Sequence, residues 1–289
     1  MEQILVNGLY LGAQYALIAL GLTLIFSLMN VLNFAHGQMY VLGGFVTYTV
    51  VAQFQLPFIV GLICSAVVLA IVGAMVEKYL FRPVIKKSRR EESTMLLAAG
   101  IAFFLDAVIL LVFGEKQRGV PKIVDGVFNW DFIVIMPNDR ILIGCLAILM
   151  IAAFILFMQF SRAGRAMRAL AQDKVAATLM GVAVDRYAMF GFALCAAWAG
   201  LVGGLLVTIT GINLGMGGPA SIKAFMMIMI GGAGVISGAI AGGFILGMME
   251  SVGLTVLSEY GDITYLVIFA TLMVFLSFRP QGLMGKPWG

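Results

Sequence analysis

The sequence predicts an all-α polytopic membrane protein of about 7–9 transmembrane helices, with a glycine-rich broken or re-entrant segment at 222–257. Three observations predict it. Of 289 residues, 62% are hydrophobic and only 11% charged, against about 45–50% and about 25% in soluble domains. The mean hydropathy of +1.06 is too high for a soluble core, because too few polar residues remain to cover a surface. The apolar residues also fall in unbroken runs. A membrane span satisfies its backbone only as a helix or a closed barrel, and barrel strands alternate apolar and polar residues. The same composition excludes a disordered chain, a disulfide scaffold and a nucleic-acid-binding protein.

In chain order, the runs occupy 4–29, 38–53, 57–79, 94–113, 141–160, 187–209 and 262–278. Crossing about 30 Å of hydrocarbon takes about 20 residues. The stretch 222–257 is long enough for two short spans or a re-entrant pair. All seven prolines (Pro57, Pro83, Pro121, Pro137, Pro219, Pro280 and Pro287) lie near run ends, where a missing amide proton is tolerated. Asn33 to Gly37 and Gly231 to Gly234 read as helix breaks. Gly8 and Gly12, Gly234, Gly238 and Gly242, and Gly243 and Gly247 recur at four-residue spacing, which makes flat faces for close helix packing.

Basic residues set the orientation. Residues 1–77 contain none. Thirteen of the eighteen then fall in three clusters: Lys78, Arg82, Lys86, Lys87, Arg89 and Arg90; Arg162, Arg165, Arg168, Lys174 and Arg186; and Arg279 with Lys286. The positive-inside rule makes these places cytoplasmic. The loop 114–140 balances Glu115, Asp125, Asp131 and Asp139 against Lys116, Arg118, Lys122 and Arg140, which suits the outer side. Three spans precede the first basic cluster, so the N-terminus is expected outside and the C-terminus inside. No cleavable signal peptide is expected, since Met1 to Gln3 carry no basic residue and no cleavage-site pattern follows.

Few polar groups occupy the spans. Asp106 and Glu250 lie at membrane depth, where ionisable residues are functional candidates. The plain alternative is an interhelical hydrogen bond for each. Lys223, near the outer surface, is a further candidate, with snorkelling to the interface as its plain alternative. His36, the single histidine, reads as a hydrogen-bonding group in a tight connection. Cys64, Cys145 and Cys195 read as small buried hydrophobes, and no metal site is expected. No HExxH, paired carboxylates or nucleophile–base pair points to an enzyme. Gly231-Gly232-Ala233-Gly234 lacks the Gly-Lys-Ser/Thr ending of a phosphate loop.

The loop 161–186 is too polar to span and too apolar for a loose linker. Arg162, Arg165 and Arg168 recur every three residues, with Ala166, Ala169, Leu170, Ala176, Ala177, Leu179 and Met180 supplying apolar surface. Two readings stand: an amphipathic helix on anionic lipid, or a docking helix for a cytoplasmic partner. Val175-Ala176-Ala177-x-x-x-Gly181 resembles the Glu-Ala-Ala-x-x-x-Gly loop with which importer permeases of the ABC class engage their ATPases, with Val175 in place of the glutamate.

Longer stretches resemble the LivH-type permeases of bacterial ABC importers for branched-chain amino acids. They are Asn7-Gly8, Tyr15-Ala16-Leu17 through Thr23, Asn33-Phe34-Ala35-His36-Gly37, Gly164-Arg165-Ala166-x-Arg168-Ala169, Asp185-Arg186, Lys223-Ala224-Phe225, Gly231-Gly232-x-Gly234, Gly242-Gly243-x-x-Leu246-Gly247 and Arg279-Pro280-x-Gly282-Leu283-x-Gly285. The resemblance implies a single transmembrane permease domain over 1–289 in the bacterial inner membrane. It implies a homologous second permease, two cytoplasmic ATPases and a periplasmic binding protein as partners, beside membrane lipid and no nucleic acid. This chain would bind no cofactor, and ATP and magnesium would sit in the ATPases. Arg165, Arg168, Ala176, Ala177 and Gly181 would form the ATPase-coupling element. Asn33, His36, Gly37, Gly231, Gly232 and Gly234 are candidates for the translocation path or for helix breaks. A urea or short-amide permease, and a self-contained secondary transporter using Asp106 or Glu250, remain alternatives.

Overall fold

The computed structural model describes residues 2–88, 91–130, 134–256 and 261–285. Arg89, Arg90, Asp131, Lys286 and Pro287, used above for orientation and boundaries, lie outside the described residues. The protein is 82% helical, which settles helix against barrel.

The helices are α1 (Glu2–Met29), α2 (His36–Tyr48), α3 (Phe58–Val76), α4 (Arg82–Lys87), α5 (Glu91–Phe113), α6 (Asn138–Phe160), α7 (Arg162–Gln172), α8 (Lys174–Leu179), α9 (Val184–Thr210), α10 (Gly217–Gly231), α11 (Ile236–Val256) and α12 (Gly261–Phe278). A π-turn continues α2 over Thr49–Gln53, and another joins α3 to α4 over Glu77–Phe81. One short antiparallel hairpin, β1 (Val127–Trp130) with β2 (Val134–Pro137), interrupts the all-helical pattern within the loop 114–140. Among the described residues, seven helices are long and apolar enough to cross a membrane, and α12 adds a shorter apolar one.

Prolines mark boundaries as expected. Pro57 precedes α3, Pro83 sits in the first turn of α4, Pro137 precedes α6, and Pro280 follows α12. The segment 222–257 resolves into α10 and α11, separated by residues 232–235. At about 1.5 Å per residue, the 21 residues of α11 cover a bilayer core alone, and α10 comes near that length together with the 3-10 turn Leu214–Met216 that leads into it. Gly232 (φ 107°) and Gly234 (φ 80°) hold left-handed backbone at this break, a conformation that side chains with a Cβ resist.

The chain divides into two compact units. The first holds Met1–Thr23, Val124–Ala152 and Ile222–Gly289, and the second holds Leu24–Ile123 and Ala153–Ser221. In the first, α1 and α11 meet through small residues. A Cβ on Gly247 would lie 2.3 Å from the Gly12 backbone nitrogen, and one on Gly243 would lie 2.5 Å from that of Ala16. The four-residue glycine spacing therefore serves backbone contact. In the second unit, α2, α3 and α9 pack equally closely. A Cβ on Gly43 would lie 2.4 Å from the Gly200 Cα. The buried Ser65 hydroxyl sits 3.0 Å from the Gly43 carbonyl and 2.8 Å from the Gly200 carbonyl, a donor shared by both neighbouring helices.

Candidate functional site

The loop 161–186 folds as two short helices in the second unit. Ser161 caps α7 by accepting from the Gly164 amide at 2.8 Å. Every third residue of α7 turns inward: Gly164, Met167 and Leu170 are buried, while Arg162, Arg165 and Arg168 face outward. Two of these arginines reach back to the end of α6. Arg165 donates to the Phe160 carbonyl at 2.7 Å and Arg168 to the Gln159 carbonyl at 3.1 Å. Cations are favourable there, where a helix leaves unpaired carbonyls and the negative end of its dipole. Gly164 closes the joint, since a Cβ on it would meet the Met158 carbonyl oxygen at 2.5 Å.

Asp173 caps α8, accepting from the Val175 and Ala176 amides at 2.7 and 3.0 Å. The amide of Gly181 donates to the Thr178 carbonyl and that of Val182 to the Ala177 carbonyl, with Gly181 at φ 82°. That pair of bonds around a left-handed glycine is the Schellman helix ending. The Ala-Ala-x-x-x-Gly spacing thus has a physical meaning here: it places a buried alanine, Ala177, four residues before a glycine stop. The surface this leaves is apolar. Val175, Leu179 and Met180 are 70%, 82% and 85% exposed, beside a groove of about 680 Å³ lined by Thr178, Val182 and Val184. Desolvation by the surrounding chain lowers the Lys174 pKa from its ordinary value.

The first helix break lies in the same unit. Asn30 adopts φ 54° just after α1. Asn33 is buried and accepts from the Ala35 amide at 3.1 Å, an Asx turn that starts α2 at His36. Gly37 approaches the first turn of α10: its amide donates to Ser221 Oγ at 3.0 Å, and Ser221 donates to the Phe34 carbonyl at 3.1 Å. A Cβ on Gly37 would overlap the Gly217 carbonyl oxygen. One residue on, Gln38 donates to Asp106 Oδ2 at 3.1 Å, while Asp106 Oδ1 has no hydrogen-bond partner among the described residues.

The second break lies in the first unit and is closed by backbone. The Ile228 carbonyl accepts from Gly232, the Ile230 carbonyl from Leu283 and the Gly231 carbonyl from Met284. The chain after Arg279 therefore caps the break.

Also in the first unit, Lys223 of α10 does not snorkel. Its ammonium lies 2.9 and 3.0 Å from the two Glu250 carboxylate oxygens of α11. Tyr265 of α12 donates to Glu250 Oε1 at 2.9 Å, and Tyr15 of α1 donates to Oε2. The Lys223 ammonium also sits 4.7 and 5.0 Å from the Tyr15 and Tyr265 ring centroids, within cation–π range. Four helices thus converge on one ion pair. The sequence carried a usable signal for it, because intramembrane charges pair with one another and Lys223 and Glu250 are the two opposite charges inside 222–257. Ser221 and Gln38 carried no such signal.

Residues 4–276 match the family described as branched-chain amino acid transport system / permease component. The chain belongs to this family. The permease is 33% identical to the high-affinity branched-chain amino acid transport system permease protein LivH of Salmonella typhimurium, over 97% of this chain and 94% of that one. It is also 33% identical to the corresponding permease protein BraD of Pseudomonas aeruginosa, over 99% and 96%. A LivH-named permease protein of Methanocaldococcus jannaschii is 30% identical over 99% and 93%. Among solved structures, PsaBC from Streptococcus pneumoniae in complex with Fab aligns with 94% of this chain and 91% of that one, at 14% identity and a TM-score of 0.49. That likeness is too distant for fold or function to be carried across from it.

Proposed function

We propose that this permease is the membrane subunit of an ATP-driven importer that carries branched-chain or related amino acids across the inner membrane. It would work with a homologous second permease, two cytoplasmic ATPases and a periplasmic binding protein. Family membership along nearly the whole chain supports the class of function. The observation that carries the mechanism is the exposed apolar face of α8, tied by α7 to the end of α6. An apolar face in a basic loop outside the spans needs cover, and an ATPase surface would supply it. Movement of that partner would reach the spans through Arg165, Arg168 and the tight Gly164 joint. ATP and magnesium would be bound and ATP hydrolysed in the partner, and this chain would bind no cofactor. The basic clusters support a cytoplasmic loop, an outside N-terminus and an inside C-terminus.

The test replaces Val175, Leu179 and Met180 together by glutamate in the complete transporter. The expected result is normal membrane insertion with ATPase binding and uptake reduced about tenfold or more, as for removal of a central apolar anchor. Normal uptake would remove the docking role.

A further inference from the structure

The Lys223–Glu250 pair is more than helix packing requires. Moving an ion pair out of water is costly, and well-packed apolar residues of similar volume hold elements together as well or better. Among the described residues, the other two ion pairs, Arg82–Glu77 and Lys86–Asp185, lie at the first basic cluster. Lys223 and Glu250 instead sit six residues from the start of α10 and from the end of α11, about 9 Å inward at about 1.5 Å per residue.

The site is also accessible. The Lys223 side chain keeps 23% of its surface open against 6% for Glu250, and Tyr265 is exposed. Its chemistry matches one class of solute. An amino-acid zwitterion carries an ammonium and a carboxylate separated by a single carbon, and bare hydrocarbon rejects both charges. If the solute carboxylate meets Lys223 while its ammonium meets Glu250, one internal pair is exchanged for two, and no charge is left uncompensated at any stage. The Tyr15 and Tyr265 rings keep a favourable surface for the lysine ammonium while the glutamate is engaged elsewhere. Their hydroxyls remain donors to whichever carboxylate is present.

We infer that Lys223 and Glu250, with Tyr15 and Tyr265, form an exchangeable ion pair that binds the α-ammonium and α-carboxylate of an amino acid during its passage. The inference rests on the permease reading above. It also separates amino acids from the urea or amide alternative, because a neutral solute needs no exchange.

The test uses the complete transporter with its ATPases and binding protein in vesicles, with L-leucine as the probe. Replacing the pair by a neutral one, Lys223→Met with Glu250→Gln, avoids leaving one charge buried. The expected result is retained co-purification of the complex, with the L-leucine uptake rate at saturation reduced about tenfold or more, the scale of lost charged hydrogen bonds. Wild-type uptake in that variant would overturn the inference and leave the permease reading intact. Failure of the unaltered complex to take up L-leucine would overturn the amino-acid reading itself, and the inference with it. Should the double variant not assemble, the Glu250 carboxylate stretch is followed in the unaltered complex by infrared difference spectroscopy, with the Glu250→Gln band as assignment. A shift on adding L-leucine and ATP supports exchange, and an unmoved band overturns it.

Discussion

Glu250 and Asp106 are both carboxylates at membrane depth, and the protein treats them in opposite ways. Glu250 is buried, with both oxygens engaged by Lys223 and two tyrosines. Asp106 receives one amide donor from Gln38, beside the outward-facing Phe103 and Phe104. The same carboxylate chemistry, six residues before the end of α11 and seven before the end of α5, therefore has different consequences. One carboxylate is half of a closed charge system that four helices share, and the other is a weakly held group on one helix.

The contrast is broken most severely by removing one half of the pair. Lys223→Met alone leaves Glu250 buried without its cation, and is expected to destabilise the permease by about 3–5 kcal/mol, read as loss of folded protein in detergent melting. The next effect is expected at the first break. Ser221→Ala removes the acceptor for the Gly37 amide and the donor to the Phe34 carbonyl, worth about 1–3 kcal/mol where the group is buried. Gly181→Val comes third. It forces a β-branched residue into φ 82° at about 1–2 kcal/mol of local strain, so binding of the proposed ATPase partner is expected to weaken while the melting of the spans hardly moves. Asp106→Asn is the smallest. It keeps an acceptor for Gln38 and removes a charge, so melting is expected within about 1 kcal/mol of the parent, or slightly above it. A large loss there would erase the distinction between the two carboxylates.

Local chemistry was legible in the sequence, and of the pairings across helices only Lys223 with Glu250 left a signal, as the two opposite charges inside 222–257. The glycine stripes and the boundary prolines express backbone preferences of adjacent residues, so their positions could be read directly. So could the outward arginines of α7, which follow from a three-residue spacing on a short helix. The breaks, by contrast, fall at 30–35 and 232–235 and leave His36, Gly37 and Gly231 inside helices. Lys223 turned inward because Glu250, 27 positions later on another helix, offers it more than the interface does. Ser221 joins Gly37 across 184 positions, and no property of either residue announces that. The pairing of Val127–Trp130 with Val134–Pro137 lies inside a loop whose mixed charges carry no strand signal. Spans apolar on every side give little information about which faces meet.

The most direct test of the transport mechanism compares two vesicle preparations, one with this permease alone and one with the permease and the proposed second permease, ATPases and binding protein. L-leucine should accumulate only in the second, and only with ATP. Accumulation by the permease alone, driven by an ion gradient, would contradict an ATP-driven importer and make Glu250 an ion ligand instead.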